Sequence, residues 1–347
     1  MTNVSTRQSN FELFRIVCMI GVLLNHTLQA LWNLHVSEIS MANEFRIFLL
    51  NLSQTSANCF ILISGYFTIR LSWRGVVKYY LQCFFYAAII VTVSALINRS
   101  FTLHDFSQII FASSENCNYF IRCYFALMLL SPILNKAIQA MTDNEMRMAV
   151  CLLLIVDVYL GYMHQIWEIA SVGEELMHMV TMYFVGSRIS RITVSYAPWG
   201  WFAVVMALLM TVFHMIKMRF FPISIIYSLH NNSPSVLVLS VMLFLWARTW
   251  KLQSPIVNWF AGGVFAVYII HSNPYFSPYY WQMMRSVRDM GTWYISPVLV
   301  VGTSAVMFCV FTLFDKLRAG VFHSLESAIA DKLSCFFSKI SGKMLND

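Results

Sequence analysis

The chain has 347 residues, of which 59% are hydrophobic and only 11% charged, with mean hydropathy +0.64. An ordinary soluble domain carries about 25% charged residues, so the composition excludes a soluble enzyme and points to an integral membrane protein. The net charge of +7 gives no reason to expect nucleic acid, because it is mostly an asymmetry of lysine and arginine between the connections of a membrane bundle.

Apolar runs of about 20 residues, long enough to cross ~30 Å of hydrocarbon, recur along nearly the whole chain. They predict an all-α, polytopic transmembrane domain over residues 1–316 and a short basic cytoplasmic tail over 317–347. About ten spans are expected, at 11–32, 45–69, 76–97, 119–141, 147–163, 174–189, 199–216, 234–250, 256–276 and 292–315. The fifth and sixth are short. Between the seventh and eighth, KMRFFPISIIYSLHNNS at 217–233 reads as a loop or a shallow re-entrant segment. The first span is expected to stay as an anchor, since its apolar run is too long for a cleavable signal and no small-residue cleavage site follows. With the N-terminus inside, sixteen of the 23 lysines and arginines fall on the cytoplasmic side and seven outside, which predicts that both termini are cytoplasmic. The tail is expected to lie along anionic lipid headgroups. Cys18, Cys59, Cys83, Cys151 and Cys309 fall within spans without metal-ligand spacing and read as packing residues. Cys117 and Cys123 lie near the outer face, where an oxidising compartment would allow them to pair. Nothing in the sequence fixes an oligomeric state.

The first span, FRIVCMIGVLLNHTLQALW at 14–32, carries two ionisable residues, Arg15 and His26. Eleven helical steps of about 100° return to within roughly 20° of the starting direction, so both project from one face, some 16 Å apart along the axis. Arg15 is placed at the cytoplasmic headgroup level and His26 past mid-membrane. Glu12, three residues before Arg15, shares that face and can hold the guanidinium. Arg15 alone also reads as a snorkelling topology anchor. His26 has apolar residues beyond it, and an ionisable group at such depth usually faces protein or water; a neutral imidazole there suits a general base.

The outer half of the second span is unusually polar, with Asn51, Ser53, Gln54, Thr55, Ser56 and Asn58. Such groups face either a watery cavity, where Gln54 or Asn58 could orient His26 or contact a substrate, or neighbouring helices. Its end, FILISGYFTIR, places Ser64, Gly65 and Tyr66 before Arg70 and Arg74, at the inner mouth. Gly65 permits a close backbone approach, and Tyr66 also fits an interfacial belt. In the fifth span Asp157 is an intramembrane acid, for which a paired structural role is favoured. His35 lies just outside the first span. Glu168, Glu174 and Glu175 make one outer loop acidic, and the aromatic run at 275–281 fits an interfacial belt or a sugar-stacking surface. In the ninth span His271 stands in the same outer half as His26, and reads either as a second imidazole on one cavity or as the polar end of a helix.

Four stretches in chain order resemble the membrane-bound acyltransferase-3 family of bacterial O-acyltransferases. They are Arg15 and His26 on the first helix; Ser64, Gly65 and Tyr66 with Arg70 and Arg74; the aromatic helix YFIRCYFALMLLSPILN closing on Ser131, Pro132 and Asn135; and FAVYIIHSNPYFSPYYW with Tyr268, His271, Asn273 and Pro274. The resemblance implies transfer of an acyl group, commonly acetyl from cytoplasmic acetyl-CoA, to a hydroxyl of a surface or lipid-linked glycan at the inner membrane. For such a transfer the residues themselves offer His26 as general base with His271 at similar depth, and Arg15, Arg70 and Arg74 at the inner mouth for the acyl-CoA phosphates, a chemistry that planar guanidinium groups suit; Arg70 and Arg74 also read as topology anchors. Glu12, Gln54, Asn58, Ser64, Gly65, Tyr66, Tyr268 and Asn273 are the expected support and substrate contacts. Arg74 is spaced farther from Arg70 than the close basic pair of many members. Only about 30 residues follow the last expected span, so the C-terminal esterase-like domain of some members is not expected here, and the chain is expected to act alone or with a separate partner. Its expected partners are membrane lipids, acyl-CoA and a glycan acceptor, with no metal. A glycan transporter or flippase is the alternative, as is an accessory subunit of a polysaccharide synthase; a transporter has no need of a cytoplasmic phosphate clamp and places its polar groups near the midplane.

Overall fold

The computed structural model describes residues 8–32, 40–112, 119–166, 169–170, 172–193, 198–220 and 230–341. All regular structure among them is helical. The helices are α1 (Ser9–Leu31), α2 (Met41–Gln54), α3 (Ser56–Phe67), α4 (Trp73–Asn98), α5 (Leu103–Ile110), α6 (Tyr119–Ala140), α7 (Asp143–Leu154, continued by a π-helical stretch, Ile155–Met163), α8 (Leu176–Ser190), α9 (Trp199–Phe220), α10 (Pro234–Thr249), α11 (Pro255–Ala261), α12 (Val264–Ser272), α13 (Ser277–Asp289) and α14 (Ser296–Ser341). Each of the ten predicted spans contains helix, but among the described residues eight helical stretches are long and apolar enough to cross a membrane. The other two are α8 with 15 residues and α10 with 16, which rise only about 22–24 Å against ~30 Å of hydrocarbon. In the segment expected as a loop from 217, α9 continues to Phe220, and 221–229 lie outside the described residues, as do His35, Cys117 and Glu168.

Local sequence sets the helix starts. Ser40, Ser72, Ser233 and Ser254 each accept a hydrogen bond from the backbone N–H three residues on, and Pro234 and Pro255 follow two of them at the first helical position, where a missing N–H costs nothing. Thr102 with Asp105 and Thr142 with Glu145 form reciprocal capping boxes at α5 and α7.

Three spans are interrupted. At Gln54–Thr55 the hydroxyls of Ser53 and Thr55 donate back to the carbonyls of Leu50 and Leu52, a local bonding that bends helices. Between α11 and α12 the break is Gly262–Gly263; a Cβ on Gly263 would stand 2.6 Å from Thr312 of α14. The third is the π-helical stretch after α7, which carries Asp157. Irregular backbone at such depth is tolerated where it is buried in protein or lines a cavity.

Among the described residues two large buried apolar clusters carry most of the packing, and a third, smaller one joins α9 to α10. Of the two large ones, one joins α1 to α4, α12, α13 and α14; the other joins the first turns of α1 to α3, α6, α7, α8 and α10. Phe60 and Phe120 pack against both, so a seam runs between them along α1. Helices α3 and α8 are in backbone contact: a Cβ on Gly65 would lie 2.1 Å from the Tyr183 carbonyl oxygen, and one on Gly186 2.4 Å from that of Leu62. The turn after α3 has Thr68 at φ 59°. It is clasped by Tyr183, whose hydroxyl accepts from the Ile69 N–H (2.9 Å) and donates to Asn135 Oδ1 (2.6 Å), while Asn135 Nδ2 donates to the Ile69 carbonyl (2.8 Å). Two of the quoted stretches, SGYFTIR and SPILN, thus meet at one hydrogen-bonded corner.

The residues expected as a basic tail continue α14 to Ser341. Asp315 accepts from Tyr86 (2.8 Å) and Gln82 (3.2 Å) of α4 and pairs with Arg318, which also meets Glu326. Farther on, Arg74 pairs with Asp331 at 2.7 Å and the rings of Trp73 and Phe337 stack at 5.1 Å. In the run at 275–281, Tyr280 is buried rather than interfacial, and the Tyr275 hydroxyl donates to Asp105 at 2.6 Å.

Because the atoms facing Gly65 and Gly186 are backbone and cannot rotate away, Gly65→Ala and Gly186→Ala are each expected to destabilise the detergent-solubilised protein by about 1–3 kcal/mol or more. A melting temperature unchanged from wild type in either variant would contradict the close α3–α8 packing.

Candidate functional site

The seam along α1 opens into a cavity of about 820 Å³, within the roughly 300–1,000 Å³ typical of small-molecule sites. Its walls come from α1, both halves of the broken α2–α3 span, α4, α6, the 172–174 and 230–231 segments, and both halves of the broken α11–α12 span. Arg15 and His26 both line it, as their shared helix face requires.

At one end, Arg15 Nη1 lies 3.7 Å from Glu12 Oε2, the expected i, i+3 contact, while its Nε–H is buried with no partner among the described residues. The guanidinium is therefore held at one side with donor capacity left over. Ser64 and Tyr124 also line the cavity; their hydroxyls are 3.2 Å apart, and Ser64 donates to the Phe60 carbonyl.

At the other end, His26 Nδ1 lies 3.0 Å from His271 Nε2, and His271 Nδ1 lies 2.9 Å from the Val267 carbonyl oxygen. A carbonyl only accepts, so His271 Nδ1 carries the proton and donates it. In a neutral His271 the Nε2 lone pair then accepts from the His26 Nδ1–H, which leaves His26 Nε2 with a free lone pair. His271 is fully buried, whereas His26 is half-buried against the cavity. The ring of Tyr268, also a lining residue, meets His271 edge-on at 5.5 Å.

Beside His26 runs a wall of amides, each fixed by the next. Gln29 Nε2 donates to Asn25 Oδ1 (2.6 Å), Asn25 Nδ2 to Gln54 Oε1 (2.8 Å), Gln54 Nε2 to Asn231 Oδ1 (2.8 Å), and Asn231 Nδ2 to the Tyr119 hydroxyl (3.1 Å) and the Gly173 carbonyl (3.2 Å). Glu174 lines the cavity at the same end. Among the described residues no group of three or more His, Cys, Asp or Glu is placed to hold a metal ion.

Of the residues singled out in the sequence, Arg15, His26, Ser53, Gln54, Ser56, Ser64, Glu174 and Tyr268 line the cavity, with Glu12 and His271 directly behind two of them. Others stand elsewhere. The close approach that Gly65 permits is made by α8, not by a ligand. Tyr66, partly buried, packs among Phe11, Phe67 and Phe244 at the margin of a core cluster, with Arg248 over its ring. Asn273 Oδ1 accepts from the Tyr275 N–H in the turn after α12. Arg70 is exposed, and Arg74 is paired with Asp331; neither lines the cavity. Asn58 is buried behind the wall.

The sequence reading did not single out Asn25, Gln29, Asn231, Tyr119 or Tyr124. For Asn25 and Gln29 a signal existed, since one precedes His26 and the other follows one turn later. Asn231 had none, because nothing local marks a loop residue as folding into a membrane cavity.

The lone pair on His26 Nε2 and the complete burial of His271 lead to a chemical expectation. Diethyl pyrocarbonate should carbethoxylate His26 and spare His271, as read by mass spectrometry of the histidine peptides; modification of His271 before His26 would contradict the assigned geometry.

The family model described as an acyltransferase domain matches residues 8–315, which covers every helix lining the cavity. Comparison with curated proteins and with solved structures gives no match.

Proposed function

The chain belongs to this acyltransferase family, and on that premise we propose that the cavity transfers an acyl group, acetyl from acetyl-CoA, to a hydroxyl of a surface or lipid-linked glycan at the bacterial inner membrane. The observation that carries the reading is that Arg15 and His26 line one cavity, with the lone pair of His26 Nε2 left free by His271.

In this reading the thioester donor enters from the cytoplasmic, Arg15 end. Its phosphates cannot cross lipid, and the Arg15 guanidinium, which lines the cavity and is held by Glu12 on one side, offers them charge-assisted hydrogen bonds. Neither Arg70 nor Arg74 touches the cavity wall, so a contact of theirs with the donor is confined to parts outside it. The acceptor enters at the amide wall, where Gln29, Asn25, Gln54 and Asn231 offer both N–H donors and carbonyl acceptors, a match for sugar hydroxyls, which do both.

The acceptor oxygen attacks the thioester carbonyl while His26 Nε2 takes its proton. The resulting imidazolium keeps its Nδ1–H on His271, which in turn donates to the Val267 carbonyl, so charge that develops on His26 is spread over a hydrogen-bonded row in a medium of low dielectric. Collapse of the tetrahedral intermediate breaks the carbon–sulfur bond. The proton on His26 passes to the departing sulfur, giving an ester and free CoA with the base restored.

The test incubates purified protein with radiolabelled acetyl-CoA and with lipid-linked oligosaccharide and lipopolysaccharide extracted from bacterial membranes. His26→Ala is expected to lower kcat about 10²-fold to 10⁴-fold, the usual worth of a general base. His271→Ala should cost about 10-fold to 100-fold through the lost buried hydrogen bond, and His271→Gln, which keeps an acceptor for His26 Nδ1–H, should recover part of it. Arg15→Ala should raise the KM for acetyl-CoA about tenfold with a smaller effect on kcat. Wild-type protein that acylates no glycan in either extract, or His26→Ala with full activity, overturns the reading.

A further inference from the structure

Behind the amide wall, and outside the chemistry assigned to His26, lies a second histidine with a carboxyl partner. His178 of α8 and Asp157 of the π-helical stretch are both fully buried, with His178 Nδ1 2.8 Å from Asp157 Oδ2 and His178 Nε2 2.8 Å from Asn58 Oδ1. Asn58 settles the protons. Its Nδ2 donates to the backbone carbonyl of Asn231 at 2.8 Å, and a carbonyl only accepts, so the amide cannot be reversed and its Oδ1 must face His178. The nitrogen opposite that oxygen then carries a hydrogen. Between His178 Nδ1 and Asp157 Oδ2 there is one more proton, whichever atom holds it. The pair therefore holds two protons and is neutral overall, either as imidazolium with carboxylate or as imidazole with carboxylic acid; a neutral pair is the arrangement that burial in a low dielectric favours.

Resting on the acyl-transfer reading above, we propose that the Asp157–His178 pair is the positioning group of the acceptor subsite, holding the amide wall through Asn58, with both His178 nitrogens engaged and none free to act as a second base. The wall is gripped from two directions. Asn58 holds the Asn231 backbone from one side, and from the other Asn232 Nδ2 donates to the backbone carbonyls of Asp157 (3.1 Å) and Ala170. The π-helical stretch presents both the carboxyl and the carbonyl of Asp157 to these partners. π-Bulges recur at functional sites. Asn231 then points its side chain into the cavity, where it receives Gln54 and closes the row that begins at Gln29. Loosening the pair displaces the row that meets the acceptor hydroxyls, while Arg15, at the opposite end of the cavity, keeps its place.

Two measurements test this, one of them independent of activity. In protein labelled with nitrogen-15 histidine, His178 is assigned as the resonance lost in His178→Gln; its Nε2 is expected to carry a hydrogen, donated to Asn58 Oδ1, and an Nε2 with a free lone pair overturns the proposal. In the acetyl-transfer assay, Asp157→Ala is expected to raise the acceptor KM about tenfold, with kcat and the acetyl-CoA KM within about threefold of wild type. Asp157→Asn should stay within about threefold of wild type throughout, since its amide donates to a neutral His178 that still offers Nε2–H to Asn58. Asn58→Ala, which separates the pair from the wall, should reproduce the acceptor-selective loss and replaces Asp157→Ala if that variant does not fold. Equal losses on both substrates, an unchanged acceptor KM in Asn58→Ala, or Asp157→Asn as impaired as Asp157→Ala each overturn the proposal. A wild type that acylates no glycan overturns the function reading instead, and the nitrogen resonance still decides the state of the pair.

Discussion

In hydrocarbon a polar group has no water to turn to, so each must find a partner inside the protein or face a cavity. The contact of 3.0 Å between His26 and His271 is where this constraint matters most. With the Val267 carbonyl accepting from His271 and His271 accepting from His26, the proton positions along the row follow from one fixed acceptor at its end. The lone pair that remains on His26 is a consequence of how α12 is built: a helical carbonyl four residues before His271 takes its Nδ1–H.

The same constraint explains where the helices break. The Gln54–Thr55 break, the glycine pair between α11 and α12, and the π-helical stretch bearing Asp157 occur at the walls of the cavity or directly behind them. Each turns polar groups sideways out of a helix. Ser53 and Gln54 enter the cavity at the first break, Gly262 lines it at the second, and Asp157 reaches His178 at the third.

The cavity is chemically divided along α1. One end offers a cation with spare donors, the other an imidazole beside a row of amides, and the apolar seam at Phe60 and Phe120 lies between two packed clusters. Two reactants of different charge and polarity suit such a space better than one transported solute does. The ion pairs at Arg74 and Arg318 tie α4 to the extended α14 instead of serving the cavity, so basic residues near a helix end are here as much structural as functional.

What the sequence determined on its own was whatever depends on one helix. Arg15, His26 and Glu12 share a face because helical steps fix it, and the caps at Ser72, Thr142 and Ser254 follow from residues three apart. Apolar runs located all ten helical segments, though not which are long enough to cross. Only tertiary structure decided which face of a polar span meets which neighbour: that Gly65 serves α8, that Tyr66 packs on Phe11 and Phe244, that Asn58 and Asp157 meet at His178, and that Asn231 reaches Gln54 across 177 positions of chain. Hydrogen bonds between helices far apart in sequence leave no local periodicity, so they become visible only when the bundle has closed.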